Sequence, residues 1–266
     1  MSEFAEPFSA RVITELLGLP KERWRELADY ATELGYVFSV TIKNDLPVIE
    51  HGLQGILEIS QKLIDSRIGT DSDDFVGTLV KANLDGQKIT NDELLSLVSM
   101  IVFAGFDTTR NQLGLGMQTF SENPSQWKKL AENPELGRQA VEEVMRVNPT
   151  ITWVSREASV DIEYKEITIK QGTTVHLLTI PAGSDPAKFE DPEFDIEKER
   201  APHFGFGGGM HHCIGHYVAR LDMKEAFKAL AARLPDMKIG EGATYLPDSG
   251  NTGPTSLPIT FTPTKK

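Results

Sequence analysis

Phe204-Gly-Phe-Gly-Gly-Gly-Met-His-His-Cys213-Ile-Gly215 carries the only cysteine of the chain in a loop that five glycines strip of side chains. Beyond it, Tyr217, Val218, Leu221, Met223, Ala226, Phe227, Leu230, Ala231 and Leu234 recur every third or fourth residue up to Pro235. That spacing predicts a one-faced helix and places Cys213 at its N-terminus. Free amides and the positive end of the helix dipole suit an anionic sulfur there. The thiolate, rather than the thiol, is the form that binds a metal. Backbone without Cβ atoms also lets a flat macrocycle lie against it.

Two other fates are open to this sulfur. An inert core cysteine is the commoner outcome for a lone cytosolic Cys, and the glycine and histidine frame argues against it. Zinc is the second, since His211, His212, Cys213 and His216 crowd together. Adjacent ligands close a tetrahedral site poorly, however, and the chain has no CxxC partner.

The spacing Phe206-x-x-Gly209-x-His211-x-Cys213-x-Gly215 resembles the cysteine-ligand loop of the cytochrome P450 superfamily. Three further stretches agree in order. Ala104-Gly105-Phe-Asp107-Thr108-Thr109 resembles the oxygen-activating segment of the long central helix. Glu143-Val-Met-Arg146 resembles the Glu-x-x-Arg motif, and Asp185-Pro-x-x-Phe189-x-Asp191-Pro192 resembles the meander before the cysteine. The resemblance runs over residues 4–263, in the style of soluble bacterial members. It implies a mainly α fold with a small β component, the P450 fold, shortened at the N-terminal end because only 103 residues precede Ala104.

By resemblance the cofactor is haem b, with Cys213 as metal ligand and Ala104, Gly105, Arg156, His203, Phe206, Gly209, His211 and Gly215 around it. Arg156, His203 and His211 match positions that commonly meet the haem propionates, which need cationic or donor partners. Thr108 is assigned to hydrogen-bonding the oxygen intermediate, Asp107 to a proton relay, and Glu143 with Arg146 to a structural lock on the meander. Met100, Phe103, Ile151, Trp153 and Val154 would line the substrate pocket. His212 matches no family contact, and Gly183-Ser184 stands where Asn-Arg is often seen.

The implied activity is a monooxygenase that inserts one atom of O2 into a small lipophilic substrate. Electrons would come from a separate ferredoxin or flavoprotein, because the chain shows no flavin or iron–sulfur motif. A haem-binding truncated form without turnover and a peroxide-driven oxygenase are the alternatives. The short N-terminal part predicts an open distal face that holds haem weakly or is covered by a partner chain.

Bulk properties agree. A chain of 266 residues without a linker or internal repeat is expected to form one haem-thiolate domain, with short strands at about residues 160–178 and 237–262. The 27 basic and 39 acidic residues give a net charge of −12, which argues against a nucleic-acid or anionic-membrane surface. Residues 97–106, the longest strongly apolar stretch, are too short to span a bilayer. The acidic opening Met1-Ser-Glu-Phe-Ala-Glu is unlike a signal peptide, so a cytoplasmic location is expected.

Periodicity predicts helices over residues 10–17, 22–37, 47–66, 74–82, 124–130 and 135–147. The longest begins at the capping box Thr90-Asn-Asp-Glu93 and continues past Met117. Residues 160–164, 167–169 and 174–178 alternate like strands around a turn at Gln171-Gly172. Residues 181–202 read as irregular, and residues 257–262 as a strand. Asp107 and Thr108 interrupt the apolar body of the long helix, where an acid beside a hydroxyl just after Gly105 could hold water as the helix loosens.

Overall fold

The computed structural model describes residues 1–84, 89–247 and 249–262. In chain order its elements are α1 (Ala5–Leu16), α2 (Trp24–Gly35), α3 (Ile42–Asp65), α4 (Phe75–Leu84), α5 (Asn91–Glu122), α6 (Pro124–Glu132), α7 (Gly137–Val147), β1 (Trp153–Glu157), β2 (Ile162–Tyr164), β3 (Ile167–Ile169), β4 (Thr174–Leu178), α8 (Thr179–Gly183), α9 (His216–Arg233), β5 (Lys238–Ile239), β6 (Thr244–Tyr245), β7 (Pro254–Ser256) and β8 (Ile259–Thr260).

Helix α5 is the axis. It starts where the capping box predicts: the Thr90 hydroxyl accepts from the Glu93 amide at 3.2 Å, and the Glu93 carboxylate accepts from the Thr90 amide at 2.7 Å. Both orphan donors of the first turn are satisfied in this way. Its N-terminal half shares a core with α1 to α4, built on Ile13, Leu27, Ile56, Val98 and Phe106. Its C-terminal half shares a second core with α6, α7 and α9, built on Phe120, Trp127, Val144 and Phe227. Residues 111–117 of α5 are buried without interruption, so the helix passes through the body rather than over it. Gly116 permits this, because a Cβ there would lie 2.3 Å from the Phe227 ring of α9.

Two helices begin earlier than their periodicity predicts. Helix α1 starts at Ala5, with Pro7 in its first turn, where no amide is needed. Helix α3 starts at Ile42 and carries Pro47 inside, near enough to its start that few ladder bonds are lost.

The β component is small and built from antiparallel pairs. β1 pairs with β4 in the register Trp153↔Leu178 to Glu157↔Thr174, and β2 pairs with β3. The turn at Gly172 has φ 80°, a conformation that favours glycine. Within the tail the strand shrinks to β8, paired with β5, while β6 pairs with β7. Residues 179–183, expected to be partly irregular, close into α8.

Candidate functional site

A cavity of about 1010 Å³ opens between α5, the β1–β4 ribbon and the cysteine loop, at the upper end of the roughly 300–1,000 Å³ usual for small-molecule sites. Thr108, Thr109 and Gln112 supply its α5 wall, Ile151, Val154 and Arg156 the wall around β1, and Phe206, His211 and Cys213 the loop wall. Most of the lining is apolar, with a few polar groups converging on one space.

The loop is held by its own backbone. The Cys213 amide donates to the Phe206 carbonyl at 2.9 Å, and the Gly207 amide to the Phe204 carbonyl at 2.8 Å. Gly207 and Gly209 have φ 72° and 66°, which other residues adopt at a cost. Helix α9 starts three residues after Cys213, and its N-cap Gly215 brings no side chain to the free amides of the first turn. Cys213 is half-buried, packed against the second core.

Behind the loop the Arg220 guanidinium lies 4.2 Å from the centre of the Phe206 ring, a cation–π contact that fixes the ring from the far side. Arg220 and His203 both reach Glu142, Arg220 Nη2 at 3.1 Å and His203 at 3.0 Å. Burial opposes ionisation of Glu142, but the hydrogen bonds from His203 and Arg220 and the Arg220 charge outweigh it and hold the carboxyl at about 2. The other ring nitrogen of His203 accepts from the Gly205 amide at 3.0 Å, so this histidine supports the loop from behind and is not on the cavity wall.

Glu143 and Arg146 pair in bidentate fashion at 2.7 and 2.8 Å with side chains 2 % and 0 % exposed, which sets them apart from surface pairs. Arg146 also donates to the carbonyls of Gly183 at 2.6 Å and Pro192 at 2.8 Å. Glu143 accepts from the Asp195 amide at 3.0 Å and from Arg200 at 2.9 Å. The pair thus ties α7 to the irregular segment that leads into the cysteine loop.

On α5, Thr108 lines the cavity and its hydroxyl donates to the Ala104 carbonyl at 2.8 Å. Asp107 is 3 % exposed and off the cavity wall. Its carboxylate accepts from Arg110 at 2.7 Å, Asn251 at 2.9 Å and Asn111 at 3.2 Å. The helix does not loosen here: α5 is unbroken, and Gly105 serves the crossing with α1, where a Cβ would meet Ile13 Cδ1 at 2.5 Å.

The structure brings Cys213, Phe206, Gly209, His211, Arg156, Thr108, Ile151 and Val154 onto one cavity. Met100, Phe103, Ala104, Gly105, Trp153, His203 and Gly215 lie off its wall. Met100 is exposed, Phe103 stacks on Phe38 at 6.1 Å, and Trp153 meets His176 edge-on at 6.3 Å. Gln112 and Thr150 are wall residues that the sequence reading missed. The Gln112 amide donates to the Asn148 carbonyl at 2.9 Å and accepts from the Thr150 amide at 2.8 Å. The available signal was that the polar run from Asp107 continues through Asn111 and Gln112 before the helix turns apolar again at Leu113.

Residues 41–233 match the family described as Cytochrome P450. The chain belongs to the cytochrome P450 family. It is 37% identical over 265 residues to the luteothin monooxygenase of Streptomyces thioluteus, covering 98% of this chain and 65% of that relative. It is 32% identical over 265 residues to the biotin biosynthesis cytochrome P450 of Bacillus subtilis, covering 98% and 67%. Among solved structures, CalO2 superposes with a TM-score of 0.90 at 29% identity, covering 98% of this chain and 66% of that one. The P450BioI complex with a hexadec-9Z-enoic acid-ligated acyl carrier protein gives 0.88 at 32% identity, with 98% and 68% covered. This P450 chain therefore spans about two thirds of the length of the relatives it matches. A haem-iron cofactor goes with the family. Among the described residues, no helix is long and apolar enough to cross a membrane.

The residues present fit that group. Gly207, Gly208 and Gly209 offer bare backbone on the cavity wall beside Cys213, and a Cβ at Gly209 would meet nothing within 4 Å. Arg156 and His211 stand on the same wall as partners for carboxylates.

Proposed function

We propose that this chain is one haem-thiolate domain of a cytoplasmic monooxygenase, which places one oxygen atom from O2 into a small lipophilic molecule with electrons from a separate ferredoxin or flavoprotein. The observation that carries this reading is the convergence of Cys213 and Thr108 on one largely apolar cavity. Haem b, which Cys213 would hold, would supply the dioxygen chemistry.

The rest falls to side chains. Gly207 to Gly209 leave room for a flat group, while Arg156 and His211 bind its carboxylates. The Thr108 hydroxyl proton rests on the Ala104 carbonyl, so the oxygen keeps acceptor capacity toward the cavity and can hold a donor such as water. Asp107, next along the helix, provides the acid of the relay. Ile151, Val154 and Leu177 exclude water and bind an apolar substrate. One solved relative points the same way, since the P450BioI complex carries a fatty acid, on an acyl carrier protein. One cysteine cannot ligate an iron–sulfur cluster within this chain, which is why electrons are assigned to a partner.

The test is the ferrous-minus-ferrous-CO difference spectrum of haem-supplemented protein beside Cys213→Ser. A thiolate-type, red-shifted Soret band that disappears in the variant is expected. Failure to take up haem, or a band that survives the substitution, overturns the assignment. A haem-binding form without turnover is the second reading, favoured by the place of Asp107 off the cavity wall, where Arg110, Asn251 and Asn111 hold its carboxylate. It predicts the same spectrum but no product with either redox partners and NADPH or peroxide. Product from peroxide alone would identify a peroxide-driven oxygenase.

A further inference from the structure

We infer that Asn251 is the positioning residue that couples the Asp107 carboxylate to the wall of the cavity; this rests on the proposed role of Asp107 and Thr108 in proton handling. Asn251 is 4 % exposed and sits 144 residues along the chain from Asp107. Its amide nitrogen donates to Asp107 Oδ2 at 2.9 Å, while its amide oxygen lies 3.1 Å from the Thr150 hydroxyl, which shares its one proton between this oxygen and the Thr252 carbonyl at 2.6 Å. Its backbone forms an antiparallel bridge with Ile151. Thr150 and Ile151 both line the cavity, so one side chain joins the acid to the surface that a substrate would touch.

Only a side chain with a donor and an acceptor on one short stem meets both neighbours, which singles out Asn. Alanine leaves Oδ2 one donor short in a buried setting and frees Thr150 from its side-chain partner. Aspartate keeps the volume but has no hydrogen to give, and sets a second carboxylate against the first. The third anchor of Asp107 is Arg110, which also reaches Thr32 of α2 at 3.3 Å, so the acid stays inside the fold without Asn251 but is no longer aimed. The close packing of Gly253 against Asn111, where a Cβ would lie 2.5 Å from the Asn111 Cβ, keeps the 251–253 turn pressed on α5.

The test uses the haem-loaded wild type, Asp107→Asn, Asn251→Ala, Asn251→Asp and the double variant Asp107→Asn/Asn251→Ala. Partner-driven NADPH consumption is followed with lauric acid as apolar probe, in H2O and in D2O. Asn251→Ala is expected to slow consumption on the order of tenfold, as loss of a supporting hydrogen bond does around metal centres, with an increased solvent isotope effect. The double variant should be no slower than Asp107→Asn alone, because the two residues act as one unit. Asn251→Asp should be impaired at least as much as Asn251→Ala, and it keeps the test open if alanine fails to fold. Impairment by Asp107→Asn with wild-type rates and isotope effects in both Asn251 variants, or additive losses in the double variant, overturns this inference alone. A wild-type rate in Asp107→Asn overturns the proton-handling reading and the inference with it.

Discussion

Two carboxylates respond to pH in opposite directions. Glu142 titrates at about 2 in the folded chain, against roughly 4.3 unfolded, because His203 and Arg220 outweigh the cost of its burial. A depressed carboxyl contributes stability that is complete above the unfolded value and lost as the pH falls through 2. Glu142→Gln is therefore expected to cost roughly 1–2 kcal/mol near pH 7, after a discount for partial exposure, and to converge with the wild type towards pH 2. Asp222 on α9 is pushed up to about 6 by burial alone. Its ionised form weakens the fold above pH 6, and protonation relieves this as the pH falls towards 4. Asp222→Asn should stabilise at pH 8 by on the order of 1 kcal/mol and match the wild type at pH 4. Chemical unfolding measured at several pH values checks both; curves that run parallel to the wild type contradict the assignment. Such behaviour was not legible in the sequence, since the His203 partner of Glu142 lies 61 residues away and Asp222 reads as an ordinary helix-surface acid. The same limit applied to Asp107. Its position beside Thr108 was legible, whereas its clamp by Asn251 depends on a residue from the far end of the chain.

At the level of elements, the legible features were those made by near neighbours. The capping box of α5 spans three residues and stands as read. Thr90→Ala should lower unfolding stability by about 1 kcal/mol, detectable as a shift in denaturant midpoint with unchanged slope. An unchanged midpoint would mean that α5 is held by packing alone. Strand β1 was missed because Trp153-Val-Ser-Arg-Glu157 carries no clean alternation and becomes a strand through its pairing with β4, about twenty residues away. Gly183 presents the reverse case. In the sequence it looked like a departure from family habit, but a Cβ there would lie 2.1 Å from the Arg146 carbonyl oxygen, and its own carbonyl accepts from Arg146. Backbone cannot yield as a flexible side chain can, so Gly183→Ala should push α8 off α7 and destabilise by roughly 1–3 kcal/mol. Thermal unfolding equal to the wild type would show that α8 can move without cost.

Across the whole molecule, the cavity and its surroundings leave apolar surface in water. Leu177, Leu178 and Phe204 line the cavity and are exposed. Next to the cysteine loop, Met210 is 94 % exposed, Ile214 73 %, Tyr217 78 % and Leu221 57 %. Tyr217 and Leu221 are spaced i and i+4 on one face of the first turns of α9, and Ile214 sits in the turn just before that helix. Contiguous apolar surface of this kind drives association. The 266-residue chain is therefore expected to self-associate at micromolar concentration and to bind a hydrophobic dye more strongly than a closed globular protein does. Replacing Ile214 and Leu221 by Lys should shift the chain to monomer and weaken dye binding, without touching the loop hydrogen bond from the Cys213 amide to the Phe206 carbonyl. Light scattering over a concentration series reads the outcome. A wild type that stays monomeric at high concentration would show that the apolar surface beside the cysteine loop is too narrow to drive association.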